Sequence, residues 1–159
     1  MSKVAERAVT AQLNDYLLTN NLMPRYQSDC PKKNSTETAL LRVWSDTLNA
    51  VDTRQVTLLG LLDLSSAFDS VDHDFLLQRL EYGFGLSDVV WRWINSFLSD
   101  RTLQVAYAGE LSTTRPLLFG VPQGYVLGPL LYILYTTELE QVVTRHGMRL
   151  HQYADDIKL

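Results

Sequence analysis

The stretch Val56-Thr57-Leu58-Leu59-Gly60-Leu61-Leu62-Asp63 decides how the rest of the chain is read. Its apolar run, opened by β-branched residues, predicts a strand over 56–62 that is buried on both faces. The run ends in an acid. A second strand is expected over 148–153, and it too runs into acids, Ala154-Asp155-Asp156. A carboxylate at the end of a buried strand does little for a core, because burying a charge is costly unless it is paired or holds a metal.

If the two strands are sheet neighbours, Asp63 and the Asp155-Asp156 pair converge, and such an oxygen donor set suits Mg²⁺. Two ions held there would activate a 3′ hydroxyl and stabilise a leaving pyrophosphate. Spacing alone leaves a plainer reading open. Asp-Asp is common in turns, and an Asp after a strand is a good helix cap. Asp69 and Asp72 read as loop or cap residues, His73 as a helix-start residue, and His146 and His151 lack metal-ligand spacing.

Outward from these acids the chain alternates helices and strands. Ser2 caps a helix expected to reach about Asn20, with Val4, Ala8, Val9, Leu13, Tyr16 and Leu17 on or near one face. Residues 21–33 form a loop broken by Pro24 and Pro31. Asn34 to Glu37 fits a capping box that opens a helix with Leu40, Val43, Trp44, Thr47, Leu48 and Val51 at helical spacing. Helices are expected near 74–82 and 87–98, separated by Gly83 and Gly85. A β-hairpin of 102–107 and 114–118 turns around Gly109. The loop Gly120-Val121-Pro122-Gln123-Gly124 leads into a helix over 127–145. The pattern is an α/β (α+β) domain.

Composition narrows the function classes. Of 159 residues, 46% are hydrophobic and 20% charged, which reads as globular. No apolar run approaches the ~20 residues that span a bilayer, and no signal peptide is visible. A single Cys30 excludes an internal disulfide framework and a CxxC zinc site. An intracellular, non-secreted protein is expected. A net charge of −4 argues against a self-sufficient nucleic-acid binder.

Three segments carry a family resemblance. Leu62-Asp63-Leu64-Ser65-Ser66-Ala67-Phe68-Asp69-Ser70-Val71-Asp72-His73 resembles motif A of non-LTR (LINE-type) retrotransposon reverse transcriptases. Gly120-Val121-Pro122-Gln123-Gly124 through Val126-Leu127-Gly128-Pro129-Leu130-Leu131 resembles motif B. Tyr153-Ala154-Asp155-Asp156 resembles the YADD-type motif C. Ser2-Lys3 to Glu6-Arg7, Tyr26-Gln27-Ser28 and residues 35–41 are similar to the fingers side of the same family. The motifs stand in the family's order with matching spacers, so the resemblance covers nearly the whole chain.

The resemblance implies an RNA-directed DNA polymerase, acting on an RNA template, a DNA primer and deoxynucleotide triphosphates. It implies a polymerase palm with an antiparallel sheet core and flanking helices, partial fingers and no thumb. The chain is then one truncated domain, with fingers-side helices over 1–55 and palm over 56–159. Asp63 and Asp155 would hold two Mg²⁺ ions (or Mn²⁺), with Asp156 the second acid and the Leu64 carbonyl a further ligand. Phe68, five residues after Asp63, takes the place of the steric gate against a ribose 2′ hydroxyl; without the motif it reads as a core aromatic. Gln123 and Gly124 would lie at the incoming nucleotide, Pro122 would fix the loop, and Tyr153 would pack at the primer end.

The chain departs from the family pattern at Tyr125, where relatives usually have a small residue, and at Cys30-Pro31, where they tend to have an aromatic and a basic residue. Lys32 or Lys33 would then be the nearest phosphate contacts. Both ends read as cut, with the partner strand of the motif C hairpin and the thumb expected to be missing. A non-catalytic remnant of a polymerase is therefore the competing reading. A metal-dependent phosphohydrolase would need a nucleophile or further ligands that the sequence does not offer.

Overall fold

The computed structural model describes residues 3–23, 36–63, 66–122, 126–148, 150–153 and 156–158. At 36, 38, 39, 62, 63, 151–153 and 156–158 the description is of backbone. In chain order the elements are α1 (Lys3–Thr19), α2 (Thr36–Asp52), β1 (Leu61–Asp63), a 3-10 turn (Ala67–Ser70), α3 (His73–Phe84), α4 (Asp88–Leu98), β2 (Thr102–Leu103), β3 (Ala106–Tyr107), β4 (Glu110–Leu111), β5 (Arg115–Pro116), α5 (Leu127–Arg145), β6 (His151–Tyr153) and β7 (Asp156–Lys158). Among the described residues every strand pairing is antiparallel, and the mixed α/β class expected from the sequence holds. Among the described residues no helix is long and apolar enough to cross a membrane.

The elements form two compact units: 1–20 with 68–135, and 21–67 with 136–159. In the first, α1 buries Glu6, Thr10, Leu13 and Leu17, a stripe at helical spacing. Leu13 and Leu17 are where the sequence placed them. Val4 is not: it is 75% exposed, and Glu6 takes the buried face instead. Polar residues hold that face because their bonding is satisfied. Glu6 Oε1 accepts the Leu127 N–H at 2.9 Å, and the Thr10 hydroxyl donates to the Glu6 carbonyl at 2.9 Å.

Helix α3 starts where Asp72 accepts the Phe75 N–H at 2.8 Å, so Asp72 is the cap residue the sequence suggested. It ends in a left-handed (αL) glycine cap. Gly85 sits at φ 67°, its N–H bonds Glu81, and the Leu86 N–H reaches back to Leu80. Leu76, Leu77, Leu80 and Phe84 of α3 and Ile94, Phe97 and Leu98 of α4 are buried in the core. Leu130, Leu131 and Leu134 of α5 are buried as well.

The expected hairpin does turn at Gly109. Ala108 and Gly109 both have positive φ, 51° and 85°, which suits the right-handed twist of the flanking strands. The ladder is split, however, into β3–β4 near the turn and β2–β5 below it. Ser112 causes the interruption: its hydroxyl accepts the Val105 N–H at 2.9 Å in place of a regular strand bond.

The second unit is a three-stranded sheet in the order β1-β7-β6, with α2 in contact with β6. Val143 and Leu150 are buried together, with Leu139 packed on them. Three expectations fail here. The strand over 56–62 shrinks to Leu61–Asp63, and Val56 and Leu58 are 97% and 91% exposed. The register explains this: β1 is an edge strand whose pairing begins at Leu61↔Lys158, so 56–60 have no ladder partner among the described residues. The apolar face of α2 is not its buried face either. Val43 and Thr47 are half-buried, while Leu40, Trp44, Leu48 and Val51 are exposed. Finally, the partner strand of the motif C hairpin is present as β7, over three residues, and forms the centre of the sheet. The expected capping box at 34–37 begins outside the described residues, as do Cys30, Pro31, Lys32 and Lys33.

Candidate active site

Strand register sets the backbone of Asp63 opposite that of Asp156. Hairpin β6–β7 sets Tyr153 opposite Asp156, and β1 then adds on the far side of β7 with Asp63 opposite Asp156. Directly opposed residues in an antiparallel ladder have Cα atoms roughly 4.5–5.5 Å apart. The sequence expected β1 to lie directly against β6; β7 intervenes, and the acid facing Asp63 across the ladder is Asp156. Asp155 and Leu64 lie outside the described residues, as do Gln123, Gly124 and Tyr125. Among the described side chains no group of three or more His, Cys, Asp or Glu gathers into a metal site. The backbone register and the hard oxygen chemistry of the acids fit a divalent cation such as Mg²⁺.

The first unit contains a second constellation, around Phe68. Its ring lies against Tyr132 of α5, centroids 4.8 Å apart and planes tilted by 42°. Its carbonyl accepts the Val121 N–H at 2.7 Å, which joins the 3-10 turn to the start of the motif B loop. Phe68 is only half-buried, so it is not a sealed core aromatic.

Gly120 occupies the junction. Its φ is +89°, and a Cβ there would come within 2.9 Å of the Asp69 Cα and 3.1 Å of the Phe68 carbonyl oxygen. Only glycine permits that conformation and that approach without strain. The Gly120 N–H donates to Val71 at 2.7 Å, and Asp72 and Phe119 form an isolated antiparallel bridge alongside. Gly128, one residue into α5, is equally confined: a Cβ would sit 2.5 Å from the Pro122 carbonyl oxygen.

Two residues that the sequence left without a role meet here. His73 does begin α3 as expected, but its Nε2 lies 2.8 Å from the Gly120 carbonyl oxygen. Arg101 Nη1 donates to the same oxygen at 3.1 Å. No local pattern signals either contact, because they join positions 47 and 19 residues apart.

A cavity of about 650 Å³ lies between α3 and α4, lined in part by Asp72, Phe75, Gln78, Tyr82 and Trp91. Phe68, the described side chain among the nucleotide contacts named above, does not line it.

The comparisons with known proteins agree with the motifs. The family model described as reverse transcriptase (RNA-dependent DNA polymerase) matches residues 1–159. The chain is 32% identical over 164 residues to a probable RNA-directed DNA polymerase from transposon BS of Drosophila melanogaster, covering 100% of this chain and 18% of the relative. It is 29% identical over 161 residues to the RNA-directed DNA polymerase from mobile element jockey of the same species, covering 98% and 17%. A probable polymerase from transposon X-element matches at 32% identity over 99% of this chain and 17% of its own length. The chain thus spans less than a fifth of the length of these relatives. With the family model matching from end to end, the chain belongs to the reverse transcriptase (RNA-dependent DNA polymerase) family, of the non-LTR retrotransposon kind.

Proposed function

We propose that this chain is the fingers-and-palm part of a retrotransposon RNA-directed DNA polymerase and that it keeps the acids for nucleotidyl transfer. The observation that carries the proposal is the register Asp63↔Asp156 in a sheet whose central strand begins at the second acid of motif C. Asp63 and Asp155, with Asp156 beside them and the Leu64 carbonyl as a further donor, would hold two Mg²⁺ ions, or Mn²⁺ in their place. When bound, these would supply Lewis-acid stabilisation of the attacking 3′ oxygen and of the pyrophosphate that leaves. The protein's own contribution is placement, on which phosphoryl transfer almost wholly depends.

Phe68 excludes a ribose 2′ hydroxyl and so selects deoxynucleotides. Support for this comes from its half-exposed ring, braced on one side by Tyr132. Gln123 and Gly124 meet the incoming nucleotide and template base, and Tyr153 meets the primer end. The partners are an RNA template, a DNA primer and deoxynucleotide triphosphates, and the setting is intracellular. With a net charge of −4, this segment is not the main source of phosphate affinity, which falls to other parts of the longer relatives' architecture.

Two measurements test the reading. In NMR spectra of the 159-residue chain, added Mn²⁺ should first broaden the amides of Asp63, Asp155 and Asp156. Separately, the chain should replace its counterpart in the jockey polymerase and support Mg²⁺-dependent primer extension. In that chimera Asp155→Asn should lower the rate by at least about 10²–10³-fold, the range for losing a preorganised charge-stabilising group. Unselective broadening, or an Asp155→Asn chimera as fast as its parent, would overturn the assignment. A chimera that folds cooperatively and extends nothing would favour the non-catalytic remnant.

A further inference from the structure

The proposed function gives no work to His73 or Arg101, yet both donate to one atom at the root of the loop that carries Gln123. A carbonyl oxygen has two lone pairs, and here the Gly120 oxygen receives His73 Nε2 at 2.8 Å and Arg101 Nη1 at 3.1 Å. A carbonyl only accepts, so the imidazole must carry a proton on Nε2. Gly120 is buried and both donors are half-buried, which leaves little water to replace either bond. The same residue donates its N–H to Val71, and the next donates its N–H to Phe68, each at 2.7 Å. Three segments therefore close on Gly120: the turn that holds Phe68, the start of α3, and the residue that precedes β2.

We infer that His73 and Arg101 are positioning residues for nucleotide selection: they clamp the Gly120 carbonyl and so hold the start of the motif B segment, Gly120 and Val121, and the backbone of Phe68 in one fixed relation. Neither side chain needs to touch the nucleotide. Only Val121 and Pro122 separate the clamped carbonyl from Gln123, and the Val121–Phe68 bond passes any loosening of Gly120 to the residue that reads the sugar. The inference about selection rests on the polymerase reading; the clamp itself does not.

The test has two arms. In the 159-residue chain, His73→Leu removes the donor and keeps a comparable side-chain volume, whereas His73→Gln puts an amide N–H at nearly the same reach. Hydrogen exchange at the Gly120 and Val121 amides should speed up about tenfold in His73→Leu and in Arg101→Met, and stay near the parent rate in His73→Gln, while exchange in α4 stays unchanged. In the jockey chimera, His73→Leu should raise the deoxynucleotide KM about tenfold with little change in kcat, and should narrow discrimination against ribonucleotides. His73→Gln should restore both. Unchanged exchange in His73→Leu refutes the clamp. Faster exchange with unchanged KM and discrimination refutes the positioning role and leaves the clamp purely structural. A parent chimera that extends no primer overturns the polymerase reading and with it the role in selection, while the exchange arm still decides the clamp.

Discussion

Glu6 offers a demanding test of the packing. It is 1% exposed, and its Oε1 accepts the N–H of Leu127, the first residue of α5. That N–H belongs to the first turn of a helix, where no intrahelical partner exists. Glu6→Ala leaves a buried donor unsatisfied, at a cost of roughly 1–3 kcal/mol. It also removes an acidic group from the positive end of the helix, worth about 0.3–1 kcal/mol more. The loss should total roughly 1.3–4 kcal/mol, a large part of the 5–15 kcal/mol typical of a domain. Urea unfolding followed by far-UV circular dichroism measures it, with the slope checked for constancy. Glu6→Gln keeps an acceptor oxygen in place and should recover at least half of the loss. If Glu6→Ala unfolds within about 0.5 kcal/mol of the parent, the range of an ordinary surface substitution, then Glu6 does not anchor α5 and the reasoning fails.

Other substitutions probe the remaining joints. Gly128→Ala forces a methyl group against the Pro122 carbonyl oxygen and should cost about 1–3 kcal/mol in the same unfolding assay, despite alanine's better helix propensity; a stabilised variant would show that loop and helix are not in contact. Asp72→Ala removes the side-chain cap of α3 and should cost about 1 kcal/mol, with Asp72→Asn nearly neutral. Phe68→Ala in the jockey chimera should relax discrimination against ribonucleotides while deoxynucleotide incorporation continues; unchanged discrimination would remove Phe68 from the role of gate.

The parts legible in the sequence were those with local causes. Helix α5 runs from Leu127 to Arg145 as read, because a leucine-rich stretch lies between two glycine-bearing loops. The cap at Asp72 and the turn at Gly109 follow from side-chain chemistry within a few residues. The run at 56–62 misled because an apolar stretch records what can be buried, whereas strand formation also needs a partner, and β7 extends pairing only to Leu61. That Asp63 belongs near the end of motif C is an expectation with a local cause, the strand-then-acid pattern, but the backbone register Asp63↔Asp156 is not. Choosing between Asp155 and Asp156 requires the turn geometry to single-residue accuracy. Hydrophobicity alone places Val4 inside and Glu6 outside; the partner that reverses the ranking is Leu127, 121 positions away. The sequence shows His73 only as the start of a helix, because its acceptor is a backbone atom, which leaves no trace in composition.

The contact between Glu6 and Leu127 also has a consequence in time. These residues are separated by 121 positions, and the first compact unit is assembled from two stretches of chain with another stretch between them. At a synthesis rate of roughly 5–20 residues per second, α1 leaves the peptidyl-transferase centre about 6–24 s before its partner has been made. Helix formation in a peptide of this length takes about a microsecond, so α1 can form and melt many times in that interval with Leu13 and Leu17 uncovered. Whatever shields that stripe on the nascent chain, and how quickly α5 follows it, should govern the yield of folded protein more strongly than the final stability does.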